Sequence, residues 1–280
     1  MPTLADVIAV LESAYDPLWA ESWDAVGLVC GDPAAEVLRV HFAVDPVAIV
    51  VEEAIASNAQ LLVAHHPLYL GGTTSVAATT AKGRIVQRLI SAGCALYVAH
   101  TNADVADPGV NDALADAVAL RDVRPLVAQD GGRGDERATA SSRGLGRIGE
   151  LAEPTTLAEF TKAAAAALPA TSWGVRAAGD PRRPVRTVAV CGGSGGSLAE
   201  TAARAGADVL LTSDLKHHAT SEAIEDDVIA LVDAAHWATE WPWLGQAARL
   251  LSASSEKAAD TVEATISTAV TDPWTAHEHQ

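Results

Sequence analysis

Residues 59–68 read AQLLVAHHPL, and residues 95–104 read ALYVAHTNAD. Each is a short apolar run that stops at a polar cluster. Runs of this length bounded by turn residues read as buried strands. Working outward, helical spacing alternates with them. Leu4, Val7, Ile8 and Leu11 mark a helix over 3–14 that Thr3 caps. SWDAVGLVCGDP (22–33) is a short strand entering a turn, VLRVHFAVDP (37–46) a strand, VAIVVEEAIASN (47–58) a helix, TAKGRIVQRLISAGC (80–94) a helix, and PGVNDALADAVAL (108–120) a helix with proline in its first turn. Alternating strand and helix predicts an α/β protein with a mostly parallel sheet.

AQDGGRGDERATASSRG (128–144) has no apolar period and reads as a loop or linker. The expected organisation is therefore an N-terminal lobe 1–128, a linker 129–143 and a C-terminal lobe 144–280. After the linker the pattern restarts with the strand LGRIGELAEP (145–154). A helix follows, with a Thr-x-x-Glu capping box at Thr156 and Glu159. GADVLLTSDLKHH (206–218) and VIALVDAAHWATE (228–240) repeat the earlier scheme: two apolar strands, each running into a polar cluster. Two similar α/β lobes are expected, with ligands outside the carboxyl ends of the strands.

The chain has 280 residues, 49% of them hydrophobic, enough for a sizeable core. Its formal charge of −17 repels a phosphate backbone, which argues against general nucleic-acid binding. Cys30, Cys94 and Cys191 are sparse and unpaired in sequence, as suits a reducing cytoplasm. No secretory leader and no membrane-spanning run is read. The cytoplasm is the expected place of work.

Three motifs carry chemistry. In a strand, neighbouring side chains point to opposite faces. His65 and His66 therefore converge only where the strand ends, and Pro67 forces that exit. The competing reading is a surface pair in a turn. In HWATE, His236 and Glu240 share one helical face and can hold one metal; a solvated surface helix explains them equally well. The nearby Trp237, Trp241 and Trp243 read as an apolar wall. In HTNAD, Asp104 can bridge metals, or make an Asx turn before Pro108. His100 can ligate, orient a ligand or move protons. Together these are nitrogen and oxygen donors without thiolate, which suits two metals with open water positions. CGGSGGS (191–197) reads either as a tight turn or as a phosphate cradle, without matching a P-loop. His217 and His218 either line a cleft or sit in a solvated turn.

Taken in order, these blocks resemble the Nif-three-like family of dinuclear-metal hexamers, often called GTP cyclohydrolase I type 2 homologues. The resemblance runs through SWDAVGLVCGDP, LLVAHHPLYL, VAHTNADVADPGVNDALA, GLGRIGEL, VAVCGGSG, ADVLLTSDLKHHA, DAAHWATE and TDPW. It implies a Nif-three-like fold of two lobes with a dinuclear metal site in the cleft between them. The implied metal ligands are His65, His66, Asp104, His236 and Glu240. The implied cofactors are two divalent metal ions per chain, from zinc, manganese, iron or cobalt. His100, His217 and His218 are the catalytic candidates for moving protons. The implied activity is a metal-dependent hydrolase that opens the purine ring of GTP with metal-activated water and releases formate. The implied partners are a small-molecule substrate such as a nucleotide, and self in a homohexamer. The rival reading is a non-catalytic metal-binding scaffold or regulatory interaction protein. A domain that many relatives insert between the lobes is expected to be absent, because the linker is short. Two positions depart from the family's pattern: Ala25 replaces the usual Asn, and Ser213 the usual Gly.

Overall fold

The computed structural model describes residues 1–129, 142–257 and 262–278. The first unit gathers Met1–Ala103 and Leu244–Thr271, and the second gathers Asp104–Trp243 and Asp272–Gln280. In chain order the elements begin with α1 (Leu4–Ala14), β1 (Gly27–Cys30), β2 (Arg39–Ala43), α2 (Ala48–Ala56), β3 (Leu61–Ala64), α3 (Ala81–Ser91), β4 (Ala95–Val98) and α4 (Thr101–Val105). Next come α5 (Val110–Ala117), β5 (Arg121–Ala128), β6 (Gly144–Thr156), α6 (Leu157–Ala167), β7 (Val175–Ala178), β8 (Pro184–Val190) and α7 (Ala199–Arg204). β9 (Val209–Ser213), α8 (His217–Glu225), β10 (Ala230–Ala234), α9 (His236–Lys257) and β11 (Glu263–Ile266) follow.

The first unit holds a five-stranded sheet in the order β1-β4-β3-β2-β11. Its strands are parallel except β1, which runs antiparallel along β4. Every residue of β3 and β4 is buried. That is why both read as continuous apolar runs rather than alternating ones. Thr3 caps α1 in a full capping box with Asp6, and Leu4, Val7 and Leu11 face the core.

The second unit holds a six-stranded sheet in the order β5-β6-β8-β9-β10-β7. Only β8, β9 and β10 are mutually parallel; the β5–β6, β6–β8 and β10–β7 pairs are antiparallel. The protein is thus α/β with two mixed sheets, a correction to the mostly parallel sheet expected. The antiparallel members β1, β5 and β7 lack a buried run, and β6 keeps one only over Gly146–Gly149 before its later half becomes exposed. Thr156 and Glu159 form the expected capping box at α6. Pro108 precedes the Gly109 cap of α5 rather than occupying its first turn.

The unit boundaries also differ from those read off composition. β5 and β6 pair antiparallel, with Ala128 opposite Gly144, and Gln129 donates to the Arg143 carbonyl at 3.1 Å. The polar stretch thus joins two strands of one sheet; residues 130–141 of the expected linker lie outside the described residues. Composition detects a connection but not which elements it connects.

Arg147 on β6 is 1% exposed. It forks onto Asp112 of α5, with Nε and one terminal nitrogen each 2.7 Å from a carboxylate oxygen. The same guanidinium donates to the carbonyls of Gly144, Gly146 and Ala106. It therefore ties α5 and the loop after α4 to the sheet. Removing one partner of a buried pair strands the other charge, at a cost of about 3–5 kcal/mol. Asp112→Ala is expected to lower the urea midpoint accordingly, with an unchanged slope. A midpoint within error of the parent would show that Arg147 does not depend on this carboxylate.

Candidate metal centre

In the first unit, three histidines stand where β3 and β4 end. His65 and His66 follow β3, and their amides still donate to Ala43 and Val44 at 3.0 and 2.8 Å. Backbone pairing to the end of β2 thus holds both residues as the strand exits at Pro67. His100 follows β4, and its amide donates to the Asn102 side chain at 2.9 Å. The ring centroids lie 5.1 Å apart for His65–His66, 5.2 Å for His65–His100 and 5.6 Å for His66–His100. One nitrogen from each ring lies within 4.8 Å of the other two, a spacing at which the three suggest a metal ion.

The second nitrogen of each ring is held by an acceptor. His65 Nδ1 meets the Ala99 carbonyl at 2.9 Å, His66 Nδ1 meets Asp45 at 2.7 Å, and His100 Nδ1 meets Asp24 at 2.9 Å. A carbonyl or carboxylate partner requires the ring nitrogen to donate. The proton therefore stays on Nδ1, and Nε2 carries the lone pair that a metal takes. Burial, then the neighbouring His65, pushes the His100 imidazole below its ordinary value, against the pull of Asp24. A neutral ring is the form that ligates. Burial alone would raise the Asp24 carboxyl, but hydrogen bonds from Thr101 and His100 outweigh it and hold the group below its usual value.

In the second unit, α9 starts at His236 immediately beyond β10. His236 Nε2 and Glu240 Oε1 are 3.0 Å apart on one helical face. Asp214, just past β9, holds His236 Nδ1 at 2.7 Å, so this ring repeats the arrangement of the other three. Glu240 is 3% exposed, and Trp237 and Trp243 are buried as a wall alongside it in sequence. Asp104 lies in α4, and the fully buried Asn111 ties its backbone down. The Asn111 amide donates to the Asp104 carbonyl at 2.8 Å and accepts from Gly192 N–H at 2.9 Å. Burial first, then Asp104 and Glu240, push the Cys191 thiol up to about 12. Without a metal beside it, the thiol stays protonated at neutral pH.

The glycine string is a positioning turn. The N–H groups of Gly192, Gly193 and Gly195 donate to Asn111, Thr239 and Thr212 side chains, and so are not offered to a phosphate. Gly193 has φ +63°, and a Cβ there would stand 2.5 Å from Glu240 Oε1 and 3.0 Å from His236 Nε2. Ser213, in place of the family's usual glycine, donates its hydroxyl to the Gly193 carbonyl at 2.5 Å and so braces the same turn.

His217 and His218 open α8, exposed, with ring centroids 5.2 Å apart. His217 lines a cavity of about 430 Å³ with Arg176, Thr220 and Asp233; neither His236 nor Glu240 lines it. These two histidines are not brought to the His236–Glu240 pair as cavity neighbours.

The model of the Duf34/NIF3 family (NGG1p interacting factor 3) matches residues 2–273. The chain belongs to this family. A Streptomyces coelicolor protein called a GTP cyclohydrolase 1 type 2 homolog is 54% identical over 99% of this chain and 95% of its own length. A Mycobacterium tuberculosis protein of the same name is 38% identical over 97% of this chain and 96% of its own length. That alignment runs over 369 positions, more than the 280 residues here, so the mycobacterial relative carries residues that this NIF3 chain lacks. The solved structure of a Staphylococcus aureus hypothetical protein superposes with a TM-score of 0.89 at 30% identity, covering 98% of this chain and 99% of that one. The fold is therefore NIF3-like.

Sequence reasoning did not single out Asp24, Asp45, Asp214, Asn111 or Gly193. Asp45 and Asp214 stand at strand ends, the same signal that exposed the histidines. Supporting carboxylates of this kind typically contribute about 10–100-fold to metal affinity. Asp45→Ala and Asp214→Ala are each expected to weaken metal binding by about that factor, read by titrating metal-free protein with Co(II). Gly193→Ala should weaken it as well, by driving a methyl group into Glu240. Unchanged Co(II) affinity in all three variants would sever these residues from metal binding.

Proposed function

We propose that this chain is a dinuclear-metal-dependent hydrolase of the GTP cyclohydrolase type, opening the purine ring of GTP with release of formate. His65, His66, Asp104, His236 and Glu240 would hold two divalent ions from zinc, manganese, iron or cobalt, all of which accept imidazole and carboxylate. The observation that carries the reading is the shared state of four imidazoles. His65, His66, His100 and His236 are each held at Nδ1 by a carbonyl or carboxylate, as metal-binding histidines are. The glycine at 193, where any Cβ would crowd Glu240 and His236, supports it independently.

When bound, the metals supply an activated water and stabilise developing negative charge. The chain's residues do the rest. Asp45, Asp24 and Asp214 hold protons on the far side of their rings and fix ring orientation. His100, kept neutral by burial, could accept a proton on its ring. His217 and His218 are kept as further proton-moving candidates, set on an exposed helix start. Self-assembly into a homohexamer and work in the cytoplasm belong to the same proposal. Among the described residues, no helix is long and apolar enough to cross a membrane.

A scaffold without turnover is the second reading, favoured by the interaction in the family's own description, NGG1p interacting factor 3. The two separate cleanly. Metal-loaded protein incubated with GTP is expected to release formate with at least one of Mn, Zn, Fe or Co. Formate release with none of them, while two ions stay bound, would favour the scaffold. Glu240→Ala is expected to lower the metal content per chain. Two ions retained at full occupancy would overturn the ligand set.

A further inference from the structure

Trp23 is 57% exposed, yet it is not on a loose loop. On one side of it, the Glu21 amide donates to the Thr101 hydroxyl at 2.9 Å. On the other, the Asp24 side chain is fully buried and accepts from the Thr101 amide at 3.1 Å, the Thr101 hydroxyl at 2.5 Å and His100 Nδ1 at 2.9 Å. The Asp24 amide also closes a turn onto the Glu21 carbonyl at 2.9 Å. The turn carrying Trp23 is thus fastened at both ends to the segment that carries His100. The indole lies edge-on to that imidazole, with ring centroids 6.0 Å apart and planes at 79°.

An indole left in water forgoes the burial that such a large apolar ring usually gains. Here the hydrogen bonds hold it in that position, beside the three-histidine cluster and with much of its surface open. Indole presents a flat, neutral, polarisable face. What recognises such a face is another flat ring, and stacking of this kind tolerates any heteroaromatic base. An acidic chain gives little general attraction to a polyanion, so contact with the ring is the more available source of binding.

We infer that Trp23 is the stacking platform of a binding subsite for a planar heteroaromatic ring, such as a purine base, at the edge of the His65–His66–His100 cluster. This assigns the substrate class by its ring rather than by its phosphates, and it rests on the reading of that cluster as a metal site. Trp23 itself binds the ring and takes no part in holding metal.

The test uses full-length, metal-loaded protein and calorimetric titration with guanosine, adenosine, ribose 5-phosphate and inorganic triphosphate. Guanosine and adenosine are expected to bind, and the two compounds without a ring to bind far more weakly. Trp23→Ala should weaken nucleoside binding by about tenfold or more, the loss expected for one base–aromatic stack. Metal content and sedimentation behaviour should be unchanged, and Trp23→Phe should recover much of the affinity. Nucleoside binding by Trp23→Ala equal to the parent would overturn the inference. So would preference for ribose 5-phosphate or triphosphate over guanosine. A Trp23→Ala protein that changes its subunit assembly while binding nucleosides normally would assign the indole to contact between copies instead. Parent protein that takes up no metal would sink the metal reading, whereas metal uptake without nucleoside binding would sink this inference alone.

Discussion

A histidine that ligates a metal almost always donates its other ring N–H to a fixed acceptor, which sets the tautomer and aims the ring. Among the described residues, His65, His66, His100 and His236 meet that condition, each through a different acceptor: the Ala99 carbonyl, Asp45, Asp24 and Asp214. Much of the architecture can be understood as the means of placing those acceptors. Parallel strands deliver the backbone to one edge of the sheet, and residues just past β2, β3 and β4 arrive there together in the first unit. β8, β9 and β10 do the same in the second, bringing Cys191, Asp214 and His236 to corresponding positions. The buried positions of β3 and β4 are hydrophobic, so their metal-suited side chains stand in the first residues beyond them.

That placement explains what was legible in the sequence and what was not. β3 and β4 were readable because burial on both faces makes them unbroken apolar runs, and β9 and β10 because most of each is apolar. The histidines after them stood out by contrast. Asp45 and Asp214 occupied the same kind of position, but a lone aspartate after a strand looks like any turn residue. Asp24 was hidden for a different reason: its histidine partner is 76 residues away, and no local pattern links them. β5 eluded the reading because it carries Arg121, Asp122, Arg124 and Pro125 and shows one buried residue in eight. β11 pairs with β2 across more than two hundred residues, a register that only the folded chain defines. The unit boundaries were lost with these strands, since the pairing of β5 and β11, not the polar stretch at 129–143, decides which residues belong together.

Steric limits refine the site as much as hydrogen bonds do. The glycine string seemed open to a phosphate because glycine exposes its amides. In the fold three of those amides are spent on Asn111, Thr239 and Thr212. What glycine provides at 193 is the missing side chain: the backbone passes so close to Glu240 and His236 that a methyl group would displace the Glu240 carboxylate. Ser213 fits the same logic. Its hydroxymethyl group reaches the Gly193 carbonyl and donates to it, so the side chain supports the turn.

The donor chemistry follows from the same crowding. Cys191 sits beside the turn and, by position alone, is a candidate sulfur ligand. Burial and two nearby carboxylates disfavour a thiolate, and the thiol holds its proton up to about 12. Among the described residues, the side chains grouped closely enough to suggest a metal offer imidazole and carboxylate rather than sulfur. A thiolate-rich set closes a zinc ion into a structural role, whereas imidazole and carboxylate leave room for water and permit several metals. An exchangeable water position is the property the proposed hydrolase would need, and the proposed donor set would preserve it.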